Sequence, residues 1–103
     1  MSKRLKVGRV DEMANGRLSY DYEEEEIDIL ILRVEDEFFA VIDECTHEEL
    51  PLSKGMVHDC ELECPYHHAR FDLRTGEALS LPAVVPLKTY PVTVEDGDIY
   101  IDV

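Results

Sequence analysis

The alternation of apolar and polar positions predicts β-strands along almost the whole chain. Leu5, Val7 and Val10 mark a short first strand that stops near Asp11-Glu12-Met13. Asn15-Gly16 then gives a turn signal. Over residues 17–23, Leu18, Tyr20 and Tyr22 alternate with Arg17, Ser19 and Asp21, which is the two-residue period of a strand. The acidic run at 23–26 suits a solvated hairpin tip. Residues 27–34 are β-branched and apolar, Glu35-Asp36-Glu37 turns the chain, and residues 38–42 return as the next strand. Shorter strands are predicted at 56–58, 61–63 and 70–73, with Thr75-Gly76 closing the last of these turns. Residues 87–95 resume strand character, Asp96-Gly97 makes a hairpin turn, and Ile99, Tyr100 and Ile101 form the closing strand. There is no convincing helical period, internal repeat, linker or low-complexity tract.

Residues 43–82 differ in texture from the rest. They hold every Cys and every His of the chain and are dense in turn residues. The pattern therefore predicts an all-β fold in which an insertion over about 43–82 is carried on a base made from residues 1–42 and 83–103. At 103 residues the chain is long enough for one domain with a modest core, so residues 1–103 are read as a single domain.

Composition narrows the function classes. No apolar run reaches membrane-spanning length; the stretch at 27–32, for one, is broken by Asp28. The basic start Met1-Ser2-Lys3-Arg4-Leu5-Lys6 is not followed by the apolar stretch of a secretory signal, which points to a cytoplasmic address. Three Cys is an odd count that argues against a disulfide framework and fits a reducing compartment. A net charge of −14 disfavours nucleic acid and anionic membranes as partners. It serves either plain solubility or long-range steering towards a basic partner surface.

Two short motifs carry the chemistry. Cys45-Thr46-His47 and Cys64-Pro65-Tyr66-His67 read C-x-H, a gap of sixteen residues, then C-x-x-H. A zinc finger usually groups its two Cys in one half and its two His in the other, whereas here each half is mixed. The mixed order suits two inequivalent irons, one held by Cys and one by His, with each loop giving one ligand to each. A structural zinc site is the competing reading, and a Cys/His nucleophile pair would leave one half idle. The two motifs, followed by Ala69-Arg70-Phe71-Asp72, resemble the Rieske ferredoxins.

That resemblance implies a Rieske-like antiparallel β-sandwich base with a small cluster-binding subdomain, and one 2Fe–2S cluster held by Cys45, His47, Cys64 and His67. Cys45 and Cys64 would hold the buried iron, and His47 and His67 the outer one, with the imidazole edges as the electron exit. Neutral imidazoles raise the potential relative to an all-Cys centre. High-potential Rieske proteins resemble C-T-H-x-x-C…C-P-C-H-G-S, in which a Cys pair staples the loops and the Ser hydroxyl bonds a bridging sulfide. Here those positions are Leu50, Tyr66 and Ala69, so the chain looks like the low-potential, soluble branch. Leu81-Pro82 with Pro86-Leu87 resembles the loop that covers the cluster. Outside the motif, Cys60 alternates with Leu62 and Cys64 and is expected to point inward as a small hydrophobe. His58 is expected at the surface. His68 stands where Gly is common, and either faces solvent or tunes the neighbouring ligand.

The function implied is a monomeric one-electron carrier, not itself an enzyme, similar to the ferredoxin components of bacterial aromatic-ring dioxygenase systems. Its partners would be a flavin-containing ferredoxin reductase and a terminal oxygenase. The ligands of an oxygen-activating mononuclear iron, two further His and a carboxylate, are not in evidence. Two alternatives stand beside it: a small Rieske subunit of a nitrite-reductase-like complex, and a zinc-stabilised binding module.

Overall fold

The computed structural model describes residues 3–43, 55–64, 69–79 and 86–103. In them the strands are β1 (Arg4–Arg9), β2 (Arg17–Tyr22), β3 (Ile27–Val34), β4 (Glu37–Ile42), β5 (Met56–His58), β6 (Glu61–Glu63), β7 (Arg70–Asp72), β8 (Thr89–Tyr90), β9 (Val92–Glu95) and β10 (Asp98–Asp102). One 3-10 turn, Val10–Glu12, follows β1, so Val10 belongs to that turn and not to the first strand. Three antiparallel sheets result, ordered β1-β10-β9, β2-β3-β4-β8 and β5-β6-β7. No helix among the described residues is long and apolar enough to cross a membrane.

Local sequence explains the hairpins. Asn15 and Gly16 take φ of +53° and +72°, and Ala14 and Arg17 exchange both backbone hydrogen bonds across them at 3.0 Å. Asp96 and Gly97, at φ +51° and +80°, do the same work between β9 and β10. Left-handed backbone at both central residues matches the twist of the flanking strands, and Asn, Asp and Gly adopt it most readily. The acidic tip at 23–26 is exposed, as its composition leads one to expect.

The expected single strand over 87–95 is instead two. Pro91 separates β8 from β9, and the two halves join different sheets: Ala40 and Val41 of β4 pair with β8, while β9 pairs with β10. Proline has no N–H for a ladder, so the chain changes partners there. Its carbonyl still accepts a hydrogen bond from Asp102 N–H, at 3.1 Å.

Strand β3 joins the two cores. Ile29, Leu30, Ile31 and Leu32 are each no more than 1% exposed. Successive side chains on a strand point to opposite faces. Ile29 and Ile31 therefore pack with Val7, Tyr22, Ala40, Tyr90, Ile99 and Ile101 between the two larger sheets. Leu30 and Leu32 pack on the other side with Val41, Leu62, Cys64, Phe71, Leu73 and Leu87. The small β5-β6-β7 sheet thus rests on the outer face of the base through the second core.

One polar atom in the first core is left over. The Tyr90 hydroxyl is buried without a hydrogen-bond partner among the described residues, and burial pushes its pKa up. A buried donor without a partner costs about 1–3 kcal/mol. Tyr90→Phe keeps the ring and removes that cost, so it is expected to stabilise the protein by about 1 kcal/mol. A urea unfolding midpoint checks this, and a clear loss of stability would mean that the hydroxyl has a partner in solution.

Candidate metal centre

Cys64 is the one expected ligand within the described residues; Cys45, His47 and His67 lie outside them, as do Leu50, Tyr66, His68, Leu81 and Pro82. Cys64 directly follows β6 and is fully buried. Its backbone N–H donates to the carbonyl of Ala69 at 2.7 Å, immediately beyond the Glu63–Arg70 pair of the β6–β7 ladder. The connection from Cys64 to Ala69 is thereby pinned at both ends. Ala69 is fully buried as well.

The surroundings of Cys64 are apolar: Leu30, Leu32, Val41, Leu62, Phe71, Leu73 and Leu87 share its core. A thiolate in such a place gains nothing from water and is stabilised instead by a metal ion. Two thiolates suit ferric iron, and with two sulfides and two neutral imidazoles the oxidised centre carries no net charge. That is a set a low-dielectric pocket tolerates, since an uncompensated buried charge is costly. The buried Cys64 and its apolar surroundings therefore fit a place in an iron–sulfur cluster.

Cys60 departs from expectation. It does not lie on a strand but forms, with Asp59, the two-residue turn between β5 and β6, at φ of +46° for Asp59 and +65° for Cys60. His58 and Glu61 close that hairpin, so the inward alternation starts only at Leu62. Cys60 is half-buried, and the Arg74 guanidinium donates to its Sγ at 3.5 Å. His58 is exposed, as expected. Among the described residues no group of three or more His, Cys, Asp or Glu is arranged to hold a metal ion, so Cys60 and His58 build no site of their own.

Arg74 is a residue that sequence patterning missed. It follows β7 and reaches back to β4, where both terminal nitrogens donate to the Glu37 carboxylate, one of them at 2.9 Å. Its guanidinium also lies over the Phe39 ring, 5.6 Å from the centroid. The paired guanidinium holds the Glu37 carboxyl below the usual carboxylate range. One exposed side chain thus ties the small sheet to the base, and a contact 37 residues apart leaves no periodic trace in the sequence.

The family profile of the Rieske [2Fe-2S] domain matches residues 3–91. The chain belongs to this family. Its cofactor is a Rieske-type 2Fe–2S cluster, and the zinc-module alternative falls away. This Rieske protein is 54% identical over 77 residues to the 3-phenylpropionate/cinnamic acid dioxygenase ferredoxin subunit of Photorhabdus laumondii, a match covering 74% of the chain and 73% of that relative. Among solved structures it is similar to the ferredoxin of carbazole 1,9a-dioxygenase from Nocardioides aromaticivorans IC177, with 32% identity, 97% of each chain covered and a TM-score of 0.86. A further neighbour comes from a complex of reduced oxygenase and oxidised ferredoxin in carbazole 1,9a-dioxygenase, at 34% identity, a TM-score of 0.81, and 95% and 91% coverage. Two chains described as nitrite reductase small subunits match at 24% and 20% identity, a likeness of fold alone.

Proposed function

We propose that this Rieske protein is the ferredoxin of an aromatic-ring dioxygenase system, working in the cytoplasm, where it takes single electrons from a flavin-containing reductase and delivers them to a terminal oxygenase. The observation that carries this reading is its 54% identity to a dioxygenase ferredoxin subunit over three quarters of the chain. When bound, the cluster supplies one-electron uptake and release.

The chain's own residues have three tasks. Cys45 and Cys64 would hold one iron; the full burial of Cys64 in an apolar core supports its part in this. His47 and His67 would hold the second iron, and their imidazoles would be the route by which the electron leaves. The core beneath the small sheet, with Leu62, Phe71 and Leu73, would keep water from the Cys64 side of the cluster. Ala69 brings a methyl where high-potential relatives bring a hydroxyl, and with fewer hydrogen bonds to the sulfides the reduced, anionic centre is stabilised less.

The test is electrochemical and kinetic. The holoprotein is expected to show a midpoint near the lower end of the Rieske range, about −150 mV, flat with pH around neutrality. It should also couple NADH oxidation by a flavin-containing reductase to reduction of a terminal oxygenase. A midpoint well above zero that falls with pH near 7, or a carrier that the oxygenase does not oxidise, would contradict the reading.

A further inference from the structure

The β5-β6-β7 sheet has an inner and an outer face. Val57, Leu62 and Phe71 stand opposite one another and point into the core. Their neighbours Met56, Glu63 and Arg70, also directly opposite one another, must then point outward. The Phe71–Ala78 bridge extends this register by one more position, so that Leu79 stands opposite Arg70, and its N–H donates to the Arg70 carbonyl at 2.7 Å. Met56, Glu63, Arg70 and Leu79 form a single row across the sheet, about 14 Å long at normal strand spacing.

Three facts set this row apart. Met56 is 56% exposed and Leu79 39%, and they are two of the three large hydrophobics exposed among the described residues. Glu61 shares the outer face and pairs with Arg70 at 3.1 Å, so the middle of the row is charged while its two ends are aliphatic. Finally, the row adjoins an expected ligand along the chain: Cys64 directly follows Glu63, and Ala69 directly precedes Arg70.

Resting on the function proposed above, we infer that this row is the surface on which the terminal oxygenase docks, its face for this carrier having aliphatic contacts at the two ends and a basic rim. The chain's net charge of −14 is complementary to such a rim and sets the rate of encounter. Met56 and Leu79 supply contact energy that salt does not screen, and they slow dissociation. A ferredoxin chain 34% identical to this one is known in complex with its oxygenase, which makes that enzyme the occupant to expect. A row adjoining the ligand loops would also bring the electron exit close to the acceptor.

The experiment compares the holoprotein with a Met56→Ser, Leu79→Ser double variant, using the terminal oxygenase of a 3-phenylpropionate/cinnamic acid dioxygenase system. The Kd for the oxygenase is expected to rise about tenfold, mostly through faster dissociation and equally at low and high salt. The visible spectrum, the midpoint potential and reduction by dithionite should stay as they were. Val94→Ser, which removes the third exposed hydrophobic from β9, should change nothing. Each single substitution should cost about threefold and carries the test should the pair disturb the cluster. If the double variant binds as tightly as the parent, the surface is misassigned and the carrier function stands. A variant that loses reduction by the reductase but keeps the oxygenase overturns the choice of occupant. If the parent itself delivers no electrons to the oxygenase, the functional reading beneath the inference fails.

Discussion

Cys64→Ala is expected to yield a colourless protein, with iron and sulfide at background, whereas Cys60→Ala should keep the visible spectrum. Cys64 is fully buried at the foot of a connection pinned by its own N–H, and no water could take over a lost ligand there. Alanine removes the thiolate and leaves a small void in an apolar core. Because metal binding and folding are coupled, loss of one ligand should also lower the thermal midpoint. Cys60 sits on the hairpin turn at the opposite end of β6 from Cys64 and touches Arg74. Replacing it trims one contact of an exposed guanidinium. Iron and sulfide analysis of both variants decides the matter; a coloured Cys64→Ala together with a bleached Cys60→Ala would reverse the ligand assignment.

Phe71→Ala is expected to cost about 3–5 kcal/mol, the usual range for emptying a fully buried phenylalanine site. Domains of this kind are stable by only about 5–15 kcal/mol, so a large share would go. Phe71 is fully buried in the core beneath the small sheet, opposite Leu62 on one side and Ala78 on the other. It is flanked there by Leu30 and Leu32 of β3. The cavity would open between base and insertion, so cluster retention should fall along with the unfolding midpoint. Denaturant titration of the holoprotein, followed by backbone circular dichroism and visible absorption together, checks both. A loss under 1 kcal/mol with the cluster intact would mean that this core collapses around the void far better than its packing suggests.

Much of the architecture was legible because the decisive signals are local. Asn15-Gly16 and Asp96-Gly97 announce their hairpins by residue type, and Leu18, Tyr20 and Tyr22 show their buried face by alternation. Asp59-Cys60 makes the same kind of turn with Cys at its second position, which carries no turn signal, and so Cys60 reads by its alternation with Leu62 and Cys64 as pointing inward. Pro91 in a β-rich run could be seen, but not which sheet each half would join, since pairing is settled by distant strands. At the site, the two mixed Cys/His motifs pointed to the family that the Rieske profile then matched, because metal chemistry constrains residue type and spacing closely. The Glu37–Arg74 pair and the Met56–Leu79 row could not be read, being assembled by register across strands far apart in the sequence.

The run from Ile29 to Leu32 has one more implication, which concerns alignment. In a strand with one wet face, a slip of one residue against its neighbours is forbidden because it would turn polar groups inward. Here a slip would merely exchange leucines for isoleucines between two dry cores, and the hydrophobic effect would barely object. Correct alignment must therefore be enforced from outside the run. Asp28 and Arg33 at its margins are both exposed, and β2 next to it has the strict alternation that β3 lacks. The tight turn after Val34, with Glu35 at φ +57°, fixes the phase against β4. The strand that holds the two halves of the protein together is thus indifferent to its own placement, and the residues at its ends and on its neighbours decide which side chains enter which core.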